Sequence, residues 1–183
     1  MAFNINEIKS QMLFDGARPS LFQVTMQNPA NSVADVKLPF MCEATTLPAA
    51  NLGEVQVPYF GRFIKLAGTR TYDDWTVTII NDEDFLVRNA IEEWSNRLNT
   101  FQGNIRAFGS ASPLLYKSQA QVVQYSKTGV PIRSYQFNGI FPKAISEVTL
   151  NWADGNAIER FTVTFAVDYW EVSGGVTGNA GGV

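Results

Sequence analysis

Alternation of apolar and polar residues with a period of two is the feature of this sequence that most limits its fold. In residues 21–27, LFQVTMQ, Phe22, Val24 and Met26 fall on one face and polar side chains on the other, which is the pattern of a half-buried strand. The same pattern recurs in residues 70–80, 117–125, 133–138, 146–152 and 160–170. The turn-forming segments SKTGVP (126–131) and WADGNA (152–157) separate strands, so we predict a mainly β fold, an antiparallel sandwich or barrel-like domain.

One segment departs from this period. From about Asp84 to Leu98 the apolar residues Val87, Ala90, Ile91, Trp94 and Leu98 recur every three or four positions, which predicts one α-helix flanking the sheet. A second short helix over residues 4–12 is also compatible with the spacing of its apolar residues.

Three consecutive acids, Asp82, Glu83 and Asp84, precede that helix. Helix starts favour a side-chain acceptor and negative charge, so we predict that Asn81 or Asp82 caps the helix. A calcium loop would need a glycine at its sixth position and a distant bidentate glutamate, and NDEDFLVRNAIEE offers neither. Acid–base catalysis would need a pocket of convergent polar groups, which no motif announces.

Composition excludes much chemistry. The chain has no histidine and one cysteine, Cys42, so zinc sites, histidine-based triads and intramolecular disulfides are not expected, and we predict no cofactor, no metal and no enzymatic activity. Only 17% of the residues are charged, against about 25% in typical soluble domains, which favours a subunit of an assembly. The net charge of -3 predicts no tight binding of nucleic acid, and we expect no membrane insertion because no apolar run is long enough.

The segment of residues 45–68 contains two prolines, three glycines and many apolar residues. We predict a long loop that contacts a neighbouring subunit, because loops of this length are uncommon without a function. A hairpin tucked into the domain's own core is the alternative. The contact residues we predict are large or apolar side chains that are costly to leave in water: Leu47, Pro48, Tyr59, Phe60, Phe63 and Ile64.

Four stretches together resemble a known family. GARPSLFQV, VPYFGRFIKLAGTRTYDDWTVTIINDEDFLVRNAIEEW, QGNIR and FTVTFAVDYWEV resemble the tail tube proteins of T4-like myoviruses, which are related to the tube proteins of contractile injection systems and type VI secretion. The resemblance implies a single tail-tube domain over residues 1–172, with an N-terminal arm over about 1–19. Residues 173–183 are Gly-rich and have no periodicity, which predicts a flexible tail added to the family pattern. TLPAA departs from the pattern, since a glycine is expected soon after the proline.

The family implies a function and a set of partners. Tail tube subunits form hexameric rings that stack into the hollow inner tube of a contractile tail in the virion, after synthesis in the host bacterial cytoplasm. Implied partners are further copies of the chain, the tail sheath protein, the tape-measure protein and the baseplate and tail terminator proteins. DNA would pass through the lumen without specific binding.

A pore of this kind suggests a role for the neutral strand faces. Hydrogen-bonding side chains without charge would let DNA slide, whereas Lys or Arg would hold phosphates. The lumen candidates are polar residues on three strands together with one nearby acid: Gln23, Thr25, Gln27, Glu43, Gln119, Gln121, Ser134, Gln136 and Asn138. Alternatively, some of these faces lie on the outer surface or in subunit contacts.

Other functions are compatible with the sequence. The chain could form the inner tube of an extracellular contractile injection system, which shares the tube architecture. A carbohydrate-binding β-sandwich would use exposed Trp and Tyr platforms, and an acid-catalysed hydrolase would use Asp73, Asp74 or Asp82. Rings or tubes in electron micrographs would separate the tube from the other two.

Overall fold

We describe a computed structural model of the chain, which covers residues 5–12, 16–107, 109 and 111–181. The helices are α1 (Ile5–Gln11), α2 (Leu38–Met41), α3 (Leu86–Leu98) and α4 (Pro113–Tyr116), with a 3-10 turn at Ser32–Ala34. The strands are β1 (Phe22–Met26), β2 (Cys42–Thr45), β3 (Ala50–Tyr59), β4 (Arg62–Tyr72), β5 (Trp75–Ile80), β6 (Ser118–Tyr125), β7 (Pro131–Ile145), β8 (Arg160–Ala166) and β9 (Tyr169–Gly174).

Seven of these strands form one antiparallel sheet in the order β1-β6-β7-β8-β5-β2, with β9 beside β7. The long strand β7 belongs to both halves of the sheet. Its first part pairs with β6 and β9, and its last part, from Phe141 onward, pairs with β8. The strand order ends at β1 and β2, so the sheet is not closed into a barrel. The mainly antiparallel β prediction is confirmed.

The two halves of the sheet pack against each other through aromatic side chains. Trp75 of β5 stacks on Phe137 of β7 with ring centroids 4.7 Å apart, and Phe165 of β8 lies 5.3 Å from the same tryptophan. All three are fully buried, as are the alternate residues Val24, Val77 and Val163. The period of two in the sequence therefore corresponds to one inner face per strand, as predicted.

Two predicted strands differ from the structure. Residues 146–152 have no regular structure and belong to a long connection between β7 and β8. The segment 160–170 is divided after Ala166, and the β9 strand that follows pairs with β7 instead of continuing along β5. Alternation within a segment does not reveal where a strand leaves its partner, because the side-chain period is the same in both strands.

Helix α3 covers one side of this core. Val87, Ala90, Ile91 and Trp94 are buried, and the indole Nε1 of Trp94 donates a hydrogen bond to the Tyr116 carbonyl at 2.9 Å. The predicted apolar stripe is therefore the packed face of the helix.

The predicted cap of α3 is wrong. The helix begins at Leu86, and Phe85 occupies the capping position in a left-handed conformation without a side-chain hydrogen bond. Asn81 instead donates to Glu159 on the strand side, and Asp82 pairs with Lys37. The Asp82 carbonyl accepts from Phe85, which makes a turn between β5 and the helix. This turn moves the first helical residue beyond the reach of both predicted caps, and Asp84 accepts the Leu86 amide instead.

Asn28 connects the end of β1 to α3. Within the part of the chain that the structure describes, Asn28 is the one polar residue that is buried. Its Nδ2 donates to the Ala90 carbonyl at 2.9 Å. Its Oδ1 accepts the backbone amides of Ala30 and Asn31. Buried polar groups are costly unless they are hydrogen-bonded, so this set of bonds holds the helix at one position on the sheet.

At the N-terminus, the predicted helix over residues 4–12 appears as α1 at Ile5–Gln11. Parts of the predicted arm and tail lie outside the described residues, namely 1–4, 13–15 and 182–183. The C-terminal tail differs from expectation because it pairs with the sheet. The tail begins inside β9, and Val176 and Thr177 donate to the Pro131 and Ile132 carbonyls. Gly175 has φ 113°, and a Cβ there would lie 2.5 Å from the Ile132 oxygen. This part of the tail therefore extends the sheet edge.

Candidate assembly surfaces

The first candidate surface is the β3–β4 hairpin, residues 50–72. It continues the β2–β5 ribbon, since Thr46 donates to the Thr76 carbonyl and Asp73 to the Ala49 carbonyl, and it then forms a two-stranded sheet of its own. The 10 residues of β3 give a projection of about 33 Å. Nearly all of its residues are exposed. Because a two-stranded hairpin alone in water is marginally stable, this hairpin is suited to packing against another surface.

The two faces of the hairpin are chemically different. The register places Val55 opposite Leu66 and Val57 opposite Ile64 on one face. Gln56 and its partner Lys65 lie on the other. The four apolar side chains are exposed by 42% to 52%. The hairpin thus carries an apolar stripe that its own domain leaves uncovered.

The tip of the hairpin is strained. Phe60 and Gly61 have φ angles of 42° and 82°, the two left-handed positions of a tight hairpin turn. For a phenylalanine this conformation costs about 1–2 kcal/mol, and the residue is 92% exposed, with only the neighbouring Tyr59 ring against its own. Phe60 is not buried in the subunit, and its backbone conformation disfavours an aromatic residue. This geometry therefore favours a contact between Phe60 and another molecule.

The prediction of a long loop over residues 45–68 is therefore wrong. The β-branched and aromatic residues on both sides of Phe60-Gly61 form two paired strands. Its alternative, a hairpin in the domain's own core, is also wrong, because the hairpin is exposed. Among the predicted contact residues, Tyr59, Phe60, Phe63 and Ile64 are exposed on the hairpin and Leu47 is exposed at its base. Pro48 is buried and unavailable to a neighbour. Contact of the exposed residues with another subunit remains a prediction.

The second candidate surface is a continuous neutral face on three adjacent strands. The sheet order places β1, β6 and β7 side by side, so the polar positions predicted from separate segments meet. Thr25 lies opposite Gln121, which lies opposite Gln136. In the next row the backbone N–H of Gln27 donates to the backbone carbonyl of Gln119, and Gln119 pairs with Asn138. Gln23 and Ser134 flank Val123 in a third row.

Side-chain hydrogen bonds link this neutral face. The Gln136 amide donates to Gln119 Oε1 at 3.3 Å, and the Tyr125 hydroxyl donates to Gln23 Oε1 at 2.9 Å. Among the predicted positions on β1, β6 and β7, none carries a charge. The face extends onto β9, where Glu171 lies opposite Gln136 and Tyr169 opposite Asn138. These two residues were not among the predicted positions, because the alternation over residues 160–170 predicts one strand where the structure has β8 and β9.

Glu43 does not belong to this neutral face. It lies on β2, the opposite terminal strand of the sheet order, and its carboxylate pairs with the Arg160 guanidinium. Hydrogen bonding to Glu43 raises the pKa of Arg160 further above its usual range. The predicted group of lumen candidates is therefore divided into a contiguous neutral face and one paired acid elsewhere.

The acidic turn before α3 is held by a lysine. Lys37 Nζ lies 2.7 Å from Asp82 Oδ2 and also bonds Asp84. These hydrogen bonds lower the pKa of both carboxyl groups and raise the pKa of Lys37. The described residues contain no group of three or more His, Cys, Asp or Glu arranged to hold a metal. The cluster ties α2 to the start of α3.

Comparison with known proteins shows which family the chain belongs to. The family model for phage tail tube proteins matches residues 13–173. This chain belongs to the phage tail tube protein family. Tail tube protein gp19 of Enterobacteria phage T4 is 38% identical over 158 residues, covering 86% of this chain and 92% of the relative. The tail tube protein of Serratia phage KSP90 is 26% identical over 165 residues, covering 86% and 90%.

Solved structures show the same fold. A chain in the structure of the anti-feeding prophage cap has a TM-score of 0.64 at 17% identity, covering 87% of this chain and 92% of its own. A chain in the sheath/tube terminator of an extracellular contractile injection system, in the extended state, has a TM-score of 0.65 at 12% identity, with 88% and 99% covered. At these identities the likeness concerns the fold.

Membership of the tail tube family makes this chain a structural component of a virion tail, as the sequence resemblance predicted. This family membership argues against the two alternative functions considered from the sequence, a carbohydrate-binding β-sandwich and an acid-catalysed hydrolase. Burial raises the pKa of the Cys42 thiol to about 12, which keeps it protonated and unreactive near neutral pH. Across the part of the chain that the structure describes, no helix has the length and apolarity to span a membrane.

Proposed function

We propose that six copies of this chain form a ring and that the rings stack into the inner tube of a contractile tail, through which DNA passes. The main observation that supports this proposed assembly is the exposed β3–β4 hairpin. Its length, its apolar stripe and its strained aromatic tip are accounted for if a neighbouring subunit covers it. The subunit has no catalytic role in this proposal, and the tube works by its shape and by the chemistry of its wall.

The neutral face supplies that wall. Each ring would present six copies of the amides and hydroxyls of β1, β6 and β7 to the lumen. Such groups exchange hydrogen bonds with water and bear no charge that would neutralise phosphate, so DNA would release no counterions on contact and would remain mobile. Glu171 at the edge of the face adds negative charge, which repels the backbone.

The other proposed partners follow from the same architecture. The outside of the tube would contact the sheath, its ends would contact baseplate and terminator proteins, and the tape-measure protein would occupy the lumen before DNA does. A tube of an extracellular contractile injection system is a second candidate, supported by the fold likeness to such assemblies. The presence or absence of DNA in particles purified from the source would distinguish the two.

Electron microscopy of the purified chain tests the assembly directly. We expect rings or tubes, and a reconstruction should place Gln121 and Gln136 on the inner wall. Dispersed monomers at high concentration would contradict the proposal.

A double lysine substitution tests whether the neutral face lines the lumen. Gln23→Lys with Gln121→Lys should assemble into virions whose DNA ejection is slowed at low salt and restored at high salt, because added salt weakens phosphate contacts. The matched control is Asn99→Lys with Gln102→Lys, two exposed residues after α3 and off the neutral face. Normal ejection by the first variant at low salt, or equal slowing by the control, would count against the neutral face as the lumen wall.

A further inference from the structure

The neutral face is bordered by an ion pair at the start of β6. Lys117 stands two residues before Gln119, and its backbone is extended, with φ -79° and ψ 146°, so its side chain leaves the chain on the same side as that of Gln119. Its Nζ lies 2.6 Å from both carboxylate oxygens of Asp168. Asp168 directly precedes Tyr169, which lies opposite Asn138 on the neutral face. A base and an acid in contact with each other therefore border this end of the face.

The backbone beside this pair is shaped to receive the carboxylate. Gly139 is left unpaired by a bulge in β7 opposite β6. It has φ 69°, and a Cβ at this position would overlap the Asp168 carboxylate. The backbone N–H of Asp168 donates to the Asn138 carbonyl at 3.2 Å. Glycine permits both the left-handed φ and this close approach, so the carboxylate lies directly against the bulge and within reach of Lys117.

The strands of the neutral face add no other base to it. Strands β1, β6, β7 and β9 contain two bases, Arg133 and Lys143, both on β7. Arg133 alternates with Ser134, and its guanidinium lies 5.4 Å from the centre of the Tyr135 ring on the inner side of the strand. Lys143 lies on the part of β7 that pairs with β8, and it forms its own ion pair with Asp74. Lys117 is thus the base that continues the row of polar side chains on β6.

An unpaired lysine at this position would counteract a neutral wall. Contacts between lysine and phosphate hold DNA whatever its sequence, and each of them releases counterions. In the proposed tube every ring would present six such lysines, and DNA would meet them again at each ring. The carboxylate at 2.6 Å removes the net charge of the pair and occupies the donors of Nζ that would otherwise bind phosphate.

We infer that Asp168 masks Lys117 from DNA and thereby determines whether DNA stays mobile along this end of the wall. The lysine connects the start of β6 to the connection between β8 and β9, and its partner cancels the charge that this connection would bring to the face. The inference rests on the proposed lumen wall and names the acid that keeps the border of the wall free of positive charge.

Removing the mask tests the inference in assembled virions. Asp168→Asn keeps the shape of the side chain and leaves Lys117 without its counter-charge. DNA ejection should slow several-fold at low salt and return to the wild-type rate at high salt, because salt weakens phosphate contacts. Gly139→Ala should act in the same direction, since its methyl group displaces the carboxylate from the bulge.

The double variant Lys117→Gln with Asp168→Asn separates charge from structure. It lacks the ion pair, but it also lacks the positive charge, so it should eject DNA at the wild-type rate at every salt concentration. A double variant as slow as Asp168→Asn would show that the pair acts as a structural contact, and the inference would be overturned.

Asp74→Asn is the matched control. Asp74 contacts Lys143 Nζ at 2.6 Å, so this change also frees one lysine of β7, but on the part that pairs with β8. It should eject DNA like the wild type at low salt. Slowing equal to that of Asp168→Asn would also overturn the inference, because the position of the freed lysine would then not matter.

The outcomes distinguish this inference from the proposed function. Wild-type protein that forms neither rings nor tubes contradicts the proposed function itself. Slow ejection by Gln23→Lys with Gln121→Lys, together with normal ejection by Asp168→Asn at low salt, keeps the lumen wall and overturns the masking alone. An Asp168→Asn subunit that is folded by circular dichroism but does not assemble would make the pair an assembly contact and would overturn the masking too.

Discussion

Strands β4 and β5 follow each other in the chain and are both rich in β-branched and aromatic residues, yet their environments are opposite. In β5, Trp75, Val77 and Ile79 are fully buried between the two halves of the sheet. In β4, Phe63, Ile64 and Leu66 are exposed. Both strands have antiparallel partners. The difference shows that pairing alone does not bury a strand; a second layer does, and the subunit provides one for β4 only at its last residue, Tyr72, which packs against Trp170.

The largest effect on stability should come from removing a side chain of the buried region. Trp94→Ala removes the aromatic side chain that fills the space between α3 and Phe165 and should lower the free energy of unfolding by about 3–5 kcal/mol. Urea unfolding followed by circular dichroism measures it. An unchanged midpoint in a soluble variant would contradict complete burial of this tryptophan.

A smaller loss is expected where the core is held by polar contacts. Asn28→Ala leaves the Ala90 carbonyl and the amides of Ala30 and Asn31 without their partner. We expect a loss of about 1–3 kcal/mol in the free energy of unfolding. Hydrogen exchange should show the loss as faster exchange of α3 amides. Asn31→Ala is the comparison, since its contact with Glu93 is less buried, and a loss as large there would weaken the special role of Asn28.

The ion cluster before α3 should give a still smaller effect, which depends on pH. The pKa values of Asp82 and Asp84 lie below their ordinary 3.8, chiefly through hydrogen bonds to Lys37. Groups with a lowered pKa in the folded state stabilise above the unfolded pKa, and this stabilisation disappears as pH falls through the folded value. Asp82→Asn with Asp84→Asn should therefore lower Tm at neutral pH, and its difference from the wild type should shrink below about pH 4. A difference that stays constant to about pH 2 would contradict this explanation.

The smallest effect on folding, and the largest on assembly, is expected in the hairpin. Val57→Ser with Ile64→Ser changes a cross-strand pair on the apolar stripe, and Tyr59→Ser with Phe63→Ser changes the predicted contact residues near the tip. Both variants should unfold at the wild-type midpoint, because these side chains contribute no core contacts, yet remain unassembled in sedimentation velocity.

The hairpin also offers a matched control. Gln56→Ser with Ala67→Ser lies on the opposite face and should assemble normally. If the stripe variant destabilised the monomer as much as Trp94→Ala does, the hairpin would belong to the core and the comparison of β4 with β5 would fail.

Local pattern predicted the parts of this structure that depend on neighbours in sequence. The apolar stripe of α3 and the alternation in β1, β5, β6 and β8 correspond to buried faces, because a helix or strand presents every side chain at a fixed angle to the next. The cap of α3 was missed because a turn from Asp82 to Phe85 moves the first helical residue to Leu86, and Lys37, 45 residues away from Asp82, holds the acids of that turn. A long-range partner of this kind has no local signal.

The same distinction applies to the candidate surfaces. The polar residues of β1, β6 and β7 were identified as separate faces by sequence, while the sheet order made them one neutral face and left Glu43 apart from it. The apolar content of residues 45–68 was visible in the sequence, whereas its form as an exposed hairpin was not.

The sequence by itself determined which side chains share a face, which segments lack charge, that histidine chemistry is absent, and, through its resemblance to a family, that this is a tail tube protein. Only the tertiary structure decided which strands are neighbours, that β7 belongs to both halves of the sheet, and that residues 50–72 form an exposed hairpin. The reason is that periodicity is set by the geometry of one strand or helix, whereas strand order and the position of a connection depend on contacts between residues far apart in the chain.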